Sequence, residues 1–468
     1  MIVTIIKKEL LTNITSLRFV LAMSISIAVF VVGGFVFTGR YNLEMKEYAE
    51  ATNKSLEGLN QASKNLSQLA NHVQAIQRKP KLTGLFCAGF EKTLPNTFCS
   101  DAFSVAIPEV IGDTNFLLSH FVALDWMFVI SMILSFFAIL LTFDSLSGEK
   151  ERGTLPLALS NSIPRDTVLL GKYVGAILTL GIPLAFGLLI NLIIVNLSGL
   201  QLDSSQWPEI VVFIGVSFLF LSVFLLLGML VSSRSPKSSS SIVVLLLIWV
   251  IVAIIVPSTG RIISENFVNV PSRTEVDRMI SEAQRDIWDN TERYGKNAGN
   301  WGTNPNADWV NPPARARLYN AITDTKNRIT TDYVNRMVEQ VNFGRRITKI
   351  SPATIYQTIA ETLFFTGVPR FQSLFRQVAI YKNTLKELLI EEDKKDPDSW
   401  HLLAWNHQRI FSQKGVDYDA VPKFAEADPS MGEALKTAAW DISALILLNI
   451  LLFATTYVSF LGCDVRQR

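Results

Sequence analysis

The stretch DSLSGEKERGTLPLALSNSIPRDTVLLGK, residues 144–172, joins two long apolar runs at residues 117–143 and 168–198. It carries charges, glycine and proline, whereas the runs on either side are too long and too apolar for a soluble core. The runs are therefore predicted to be membrane spans. The stretch between them, called the hairpin below, is predicted to be a polar loop at one face of a bilayer. Its layout predicts a docking surface for a soluble partner.

The composition agrees with a membrane protein. Of 468 residues, 49% are hydrophobic and only 18% are charged. This balance is too apolar for an ordinary soluble protein and indicates several membrane helices. The sequence predicts an all-α polytopic membrane protein with six transmembrane helices. The expected spans are residues 17–37, 117–143, 168–198, 210–231, 239–257 and 438–462.

Lysine and arginine in the short segments between spans indicate the orientation, because cytoplasmic loops are enriched in them. The basic residues fall on one face of the predicted bundle: Lys7, Lys8, Arg18, Lys150, Arg152, Arg165, Lys172, Arg234, Lys237, Arg466 and Arg468. The short loop 199–209 on the other face holds Asp203 and Glu209 and no base. We therefore expect a multi-pass protein of the cell (inner) membrane with both termini in the cytoplasm. The net charge of +2 gives no reason to expect a nucleic-acid partner.

The polar segments complete the predicted domain plan. Residues 1–16 have apolar positions at helical spacing and predict an interfacial helix, with a frayed start to the first span as the alternative. The other expected divisions are a first extracytoplasmic segment 38–116, a cytoplasmic coupling loop 144–167, spans three to five within 168–257, a large helical extracytoplasmic domain 258–437, and a cytoplasmic tail 463–468.

Periodicity predicts helices in both extracytoplasmic segments. In the first segment, apolar residues recur at positions 59, 62, 66, 69, 73 and 76. This alternation of three and four residues predicts one helix with a narrow apolar seam. In the second segment, apolar residues recur at helical spacing and no clear hairpin signal of β structure is present.

Two of the three cysteines, Cys87 and Cys99, lie in the first extracytoplasmic segment. Outside the membrane a disulfide between them is expected, because disulfides persist in oxidising compartments. Two free thiols are the alternative.

Sequence motifs for catalysis are absent. The chain has no GxxxxGK[ST] phosphate loop, no HExxH and no GxSxG. His401 and His407 are six residues apart, which is not the helical spacing of a metal site. We therefore predict that the chain is not an enzyme and holds no metal or cofactor of its own.

Polar residues inside the predicted spans are costly in lipid and are candidates for function. Asn191 in the third span and Asn449 in the sixth are the deepest. They are expected either to form hydrogen bonds between helices or to line a substrate path. Asp125 and Asp441 are expected nearer the outer interface.

The hairpin carries a recognisable pattern. SGEKERGTL, residues 147–155, followed by LALSNSIPRDTVLLGKYVGA to residue 176, resembles the cytoplasmic loop of ABC-2 type exporter permeases. Pro164 directly precedes Arg165, where the family more often places proline closer to the serine. The segment 351–385, SPATIYQTIAETLFFTGVPRFQSLFRQVAIYKNTL, resembles the distal external region of a subgroup with a large extracytoplasmic helical domain.

The resemblance implies that the hairpin forms a coupling helix in a groove of a separate nucleotide-binding subunit. The residues that would make this contact are Glu149, Lys150, Glu151, Arg152, Gly153, Thr154 and Leu155. The charges would pair with the groove, and Gly153 would allow a turn. The alternative is that these charges only fix topology.

The function implied is that of a permease subunit of an ATP-driven transporter. Two copies of an ABC ATPase are expected as partners, with ATP and Mg²⁺ bound there, and a second permease that is identical or paralogous. Membrane lipid and an extracytoplasmic protein are further expected partners. The alternative function is a membrane-anchored scaffold or mechanotransmission subunit that binds an envelope protein and moves no solute.

Overall fold

The computed structural model describes residues 2–89, 91, 94–109, 124–154, 164–299, 311–405 and 411–462. Almost all regular structure in these ranges is α-helical, and six helices are long and apolar enough to cross a membrane. The protein is therefore an all-α polytopic membrane protein. The six candidate spans are Leu17–Ser63, Trp126–Glu151, Arg165–Leu197, Ser204–Arg234, Ser238–Phe267 and Met431–Leu461.

The elements are labelled in chain order. The first half contains α1 (Ile2–Ile14), α2 (Leu17–Ser63), α3 (Leu66–Asn71), β1 (Gln74–Gln77), β2 (Thr97–Ser100), α4 (Trp126–Phe128, a π-helical turn Val129–Leu134, then Ser135–Thr142), α5 (Ser147–Glu151) and α6 (Arg165–Leu197). The second half contains α7 (Trp207–Arg234), α8 (Ser238–Trp249, a π-helical turn Val250–Ile255, then Val256–Phe267), α9 (Arg273–Asp289), α10 (Pro312–Thr348), α11 (Pro352–Leu363), α12 (Gly367–Asp393) and α13 (Met431–Leu461).

Helix α7 lies at the centre of the bundle and is the most buried of the six candidate spans. Its aromatic side chains Phe213, Phe220 and Phe224 are fully buried. It packs against α4, α11 and α13. It lies against α4 at Gly228, where a Cβ atom would overlap the side chain of Thr142. Glycine is needed there because it lets the two helices approach without a clash.

Helix α2 does not end at the expected boundary after residue 37. It continues as one helix of 47 residues to Ser63. The residues beyond the apolar run favour helix, and Arg40 forms an ion pair with Glu44 one turn later at 2.6 Å. The first span and the start of the polar segment are therefore one continuous helix.

The single helix predicted through position 76 is wrong. Helix α2 ends at Ser63, and the Asn65 side chain then accepts a hydrogen bond from the Gln68 amide at 3.1 Å, which starts the short helix α3. Ile76 lies in β1, which pairs antiparallel with β2. The seam residues Leu59, Ala62, Leu66 and Leu69 are buried as expected, whereas Val73 is exposed.

A buried arginine joins the two polar segments into one polar domain, formed by the described residues within 38–109 and 268–430. Arg370 in α12 forms ion pairs with Glu91 at 2.9 Å and with Glu426 at 2.6 Å. It also donates to the Lys79 carbonyl at 2.5 Å. Because these partners lie far apart in sequence, Arg370 holds the first segment against the second.

Helix α8 also continues past its expected end at residue 257. Pro257 lies in the first turn after the π-helical stretch, where its missing N–H is tolerated. The extension packs against α10 at two facing glycines, Gly260 and Gly344. A Cβ on either glycine would lie within 3.0 Å of the other's carbonyl oxygen.

Helix α11 packs into the membrane bundle, although its sequence predicts a place in the extracytoplasmic domain. The Tyr356 hydroxyl lies 2.8 Å from the Ser217 hydroxyl of α7, and its ring stacks on Phe220. The turn before α11 is tied to α8, because the Ser351 hydroxyl donates to the Val252 carbonyl at 2.5 Å. The polar domain therefore contacts the spans directly.

The expected disulfide between Cys87 and Cys99 is not formed in the structure, in which both are free thiols. Cys87 is buried, with its sulfur 3.8 Å from the Met127 sulfur and 3.8 Å from the Thr366 hydroxyl. Burial raises the pKa of the Cys87 thiol well above its usual range. Cys99 lies opposite Ala75 in the sheet and is only half-buried. Each sulfur is thus held in a different environment.

The two thiols should differ in reactivity. Maleimide added to the folded protein without reductant should label Cys99, whereas Cys87 should react only after unfolding, because it is buried and its thiolate is disfavoured. Mass spectrometry on a Cys463→Ser background reads out both sites. Labelling of neither site until a reductant is added would instead indicate a disulfide.

The contact between α4 and α7 gives a stability prediction. Gly228→Ala should lower the free energy of unfolding by about 1–3 kcal/mol, because the added methyl group overlaps Thr142. Gly215→Ala in the same helix is the matched control, since its Cβ would meet open space. Thermal unfolding of both variants in detergent measures the difference. Equal melting temperatures would contradict the packing described.

Candidate functional site

The hairpin begins with a buried serine cluster that joins three helices. The Ser232 hydroxyl, near the end of α7, accepts hydrogen bonds from the amides of Leu146 at 3.1 Å and Ser147 at 3.0 Å. The Ser147 hydroxyl donates to Ser238 at the start of α8, at 3.3 Å. Because a helix leaves its first amides without partners, Ser232 supplies the cap that α5 lacks in its own sequence.

Two further contacts hold the sides of α5 against α7 and α8. The Lys150 ammonium donates to the Ser233 carbonyl at 2.5 Å. The Glu151 carboxylate accepts a hydrogen bond from the Ser238 hydroxyl at 2.7 Å. These charges were expected to meet a partner protein, and the structure shows that both also have partners within the chain.

Glu149 faces away from α7 and α8 and contacts α6. Its carboxylate lies 2.8 Å from the Lys172 ammonium, which also lies 3.0 Å from Glu9 in α1. All three side chains are largely buried. Glu149 is therefore an internal residue of the bundle end.

The exposed residues around α5 lie at its end and just after it. Arg152 and Thr154 are exposed to solvent, as is Glu151. The Arg152 guanidinium folds back and donates to the Gly148 carbonyl at 3.1 Å. Gly153 has a φ of +70°, a left-handed conformation that terminates the helix and favours glycine. The predicted contact residue Leu155 lies outside the described residues.

Basic residues close the ends of the neighbouring helices. Arg165, at the start of α6, donates to the carbonyls of Phe460 at 2.9 Å and Leu461 at 2.7 Å. These are among the last carbonyls of α13, so the guanidinium completes that helix end. Arg18 forms an ion pair with Asp144 at 3.0 Å and so ties α2 to the start of the hairpin.

The two membrane asparagines lie in different helix contacts. The Asn449 amide donates to the Leu219 carbonyl of α7 at 3.0 Å, which is an interhelical hydrogen bond. The Asn191 amide donates to the Gly187 carbonyl of its own helix at 3.1 Å, and its side-chain oxygen faces Gly34 of α2. The structure does not bring them into one contact, and a role in a substrate path stays a prediction.

The acidic residues of the spans have structural partners near the polar domain. Asp125 accepts hydrogen bonds from the amides of Phe128 at 2.8 Å and Ala88 at 2.9 Å, and so caps α4. Asp441 in α13 forms an ion pair with Lys349 at 2.6 Å. Within the described parts of the chain, no group of three or more His, Cys, Asp or Glu side chains could hold a metal ion.

Sequence reasoning missed several residues of the site. Glu9, Ser232, Ser233 and Ser238 were not singled out as partners of the hairpin, although each contacts one of its residues. The signal that could have found them is the run VSSRSPKSSSS at residues 231–241, which is rich in serine beside two spans.

The serine cap yields a testable consequence. Ser232→Ala should leave the amides of residues 146 and 147 without their acceptor and cost about 1–3 kcal/mol locally. Hydrogen exchange at residues 146–152 should speed up, while exchange in α13 stays unchanged. Ser239→Ala, at an exposed serine of the same run, is the control. Unchanged exchange in Ser232→Ala would mean that this hydroxyl does not anchor the hairpin.

Comparison with known proteins identifies a family for this chain. The family model described as ABC-2 family transporter protein matches residues 3–465. No curated protein matched the chain. The match covers nearly the whole chain, including every candidate span and the described hairpin residues. The chain therefore belongs to the ABC-2 transporter family and is a transmembrane, non-catalytic permease component of an ABC transporter.

Proposed function

We propose that this permease subunit couples ATP hydrolysis by a separate nucleotide-binding subunit to export of a substrate or to work on the envelope side. The hairpin is the surface that the nucleotide-binding subunit binds. The observation that carries this proposal is the anchoring of α5. Through Ser147, Glu149, Lys150 and Glu151, this five-residue helix contacts α6, α7 and α8 at once.

Such anchoring would let α5 transmit a displacement to the membrane helices. Interfaces and packed cores shift between discrete arrangements and do not deform continuously. A displacement applied at the exposed residues Arg152 and Thr154 would therefore move the ends of several spans together. ATP binding and hydrolysis in the partner would shift the spans between inward-facing and outward-facing states.

The proposed orientation follows the charges. Lys150, Arg152, Arg165, Lys172 and Arg234 cluster at the hairpin end, whereas the loop at the other end carries Asp203 and Glu209. Because basic residues remain in the cytoplasm, the hairpin and both termini are assigned to the cytoplasmic side of the cell (inner) membrane. The polar domain is then extracytoplasmic.

The proposed assembly contains two permeases, identical or paralogous, and two ATPase subunits that bind ATP and Mg²⁺. A single bundle offers one hairpin, so each permease would engage one ATPase subunit. The polar domain is assigned to exit of the substrate or to binding of an envelope protein.

A second candidate function is mechanotransmission without solute movement. It is favoured by the contact of α11 with α7, where Tyr356 meets Ser217 and Phe220. Because α7 also contacts the hairpin through Ser232, one helix links the proposed ATPase surface to the polar domain. ATP-dependent substrate movement in proteoliposomes distinguishes the exporter from a mechanical transmitter.

The proposal predicts a specific loss on charge reversal at the hairpin. Arg152→Glu should reduce binding of the nucleotide-binding subunit at least about tenfold, because a reversed charge opposes a complementary surface. Permease-stimulated ATP hydrolysis in the purified complex should fall with it. Arg152 is chosen over Glu149 because it is exposed, whereas Glu149 is paired within the chain.

Arg285→Glu is the matched control, since Arg285 is also exposed but lies on α9 of the polar domain. Its ATP hydrolysis should equal that of the parent protein. Full stimulation in Arg152→Glu, with normal membrane insertion, would count against coupling through the hairpin.

A further inference from the structure

A buried cluster of three charges joins three separate parts of the chain at the hairpin end. The Lys172 ammonium in α6 lies 2.8 Å from Glu149 in α5 and 3.0 Å from Glu9 in α1. The Lys172 side chain is 5% exposed, and the two carboxylate side chains are 18% and 16% exposed. One cation is thus shared by two anions that lie 140 residues apart in the sequence.

Close packing of α1 against α6 places Glu9 in this cluster. A Cβ atom at Gly171 would lie 2.6 Å from the Ile5 side chain, and one at Gly175 would lie 2.9 Å from the Glu9 Cβ. The two glycines therefore let α1 lie directly against α6. Further along the same contact, the Asn13 amide lies 3.4 Å from the Thr179 hydroxyl. Helix α1 is held along more than two turns of α6.

The three charges restrict the orientation of α5 relative to α1 and α6. A buried ammonium needs partners, because removing it from water is costly unless carboxylates compensate. Lys172 has two carboxylate partners, Glu9 and Glu149. Because Glu9 holds the Lys172 ammonium in place, a rotation of α5 about its axis would pull Glu149 away from that ammonium. On the other side of α5, Lys150 is bonded to Ser233 of α7. The orientation of α5 is therefore set from both sides.

We infer that Lys172 is a positioning residue that fixes the orientation of α5, and that α1 moves with α5 and the start of α6 as one unit. The contacts of Glu9, Lys172 and Glu149 carry the positioning of α5. The role of this unit in coupling rests on the proposed function. It assigns α1 to the transmission of ATPase movement, in addition to any contact with the membrane surface.

The geometric part is tested by a distance measurement on the full chain in lipid nanodiscs. Nitroxide labels at Thr12→Cys in α1 and Thr154→Cys in the hairpin report on two exposed positions, with the native cysteines replaced by serine. Double electron–electron resonance should give one narrow distance in the parent protein. Glu9→Gln and Lys172→Met should each widen the distribution. Glu44→Gln, which removes one partner of an exposed ion pair in the polar domain, should leave it unchanged.

Exchanging the charges of residues 172 and 149 tests whether α5 is positioned by the ion pair or only by the volume of the Lys172 side chain. Lys172→Glu should lose the narrow distance, because three carboxylates would then meet. Adding Glu149→Lys returns one cation between two anions and should restore the narrow distance. Glu9→Gln keeps the pair of Lys172 with Glu149, so it remains informative if Lys172→Met fails to fold.

The coupling part is read from ATP hydrolysis by the complex. Glu9→Gln should reduce permease-stimulated hydrolysis while the amount of assembled complex stays the same. A narrow distance in both Glu9→Gln and Lys172→Met overturns the inference, whatever the hydrolysis rate. A widened distance with unchanged stimulation overturns the coupling role alone. The proposed function fails separately, through the Arg152→Glu experiment, and its failure would leave the distances as they are.

Discussion

The buried hydrogen bonds from the amides of residues 146 and 147 to Ser232 are the constraint on which this end of the molecule depends. Helix α5 has five residues, which is too short to persist in water without such support. Its first amides are satisfied by α7, and its side chains by α6 and α8. A short polar segment thereby acquires one orientation relative to the membrane helices, which a flexible loop would not have.

Helix α7 connects this end to the other. It is the most buried candidate span, and it contacts the hairpin and α11 at different positions along its length. Near its end, Ser232 caps α5, and near its middle, Ser217 and Phe220 contact Tyr356 of α11. Helix α11 belongs to a polar domain that is itself held together by Arg370 and its carboxylate partners. A continuous series of packed contacts therefore runs from the hairpin to the polar domain.

Much of this architecture could be predicted from the sequence, because apolar length determines which helices can span a bilayer. The ends of the spans could not be predicted as well. Helices α2 and α8 continue into polar sequence, since charged residues such as Arg40 and Glu44 favour helix as much as apolar residues do. The destination of α11 was missed for a related reason. Periodicity shows that a helix has an apolar face, and it does not show which neighbour covers that face.

The hairpin is the part of the candidate site that the sequence singles out through its charges and its motif, and its coupling role stays a prediction. Local sequence does not reveal the partners of Glu149, because Lys172 and Glu9 reach it only after the chain has folded. The same limit applies to Cys87 and Cys99, whose shared place in a predicted extracytoplasmic segment suggested a disulfide that the fold does not form.

The measurement that tests the account most directly is site-specific photocrosslinking in intact cells. A photoreactive amino acid at Thr154, in the exposed end of the hairpin, should form an adduct with a nucleotide-binding subunit, identified by mass spectrometry. The same probe at Glu282, exposed on α9, should not form that adduct. An adduct with the nucleotide-binding subunit from Glu282 and none from Thr154 would contradict the assignment of the hairpin as the coupling surface.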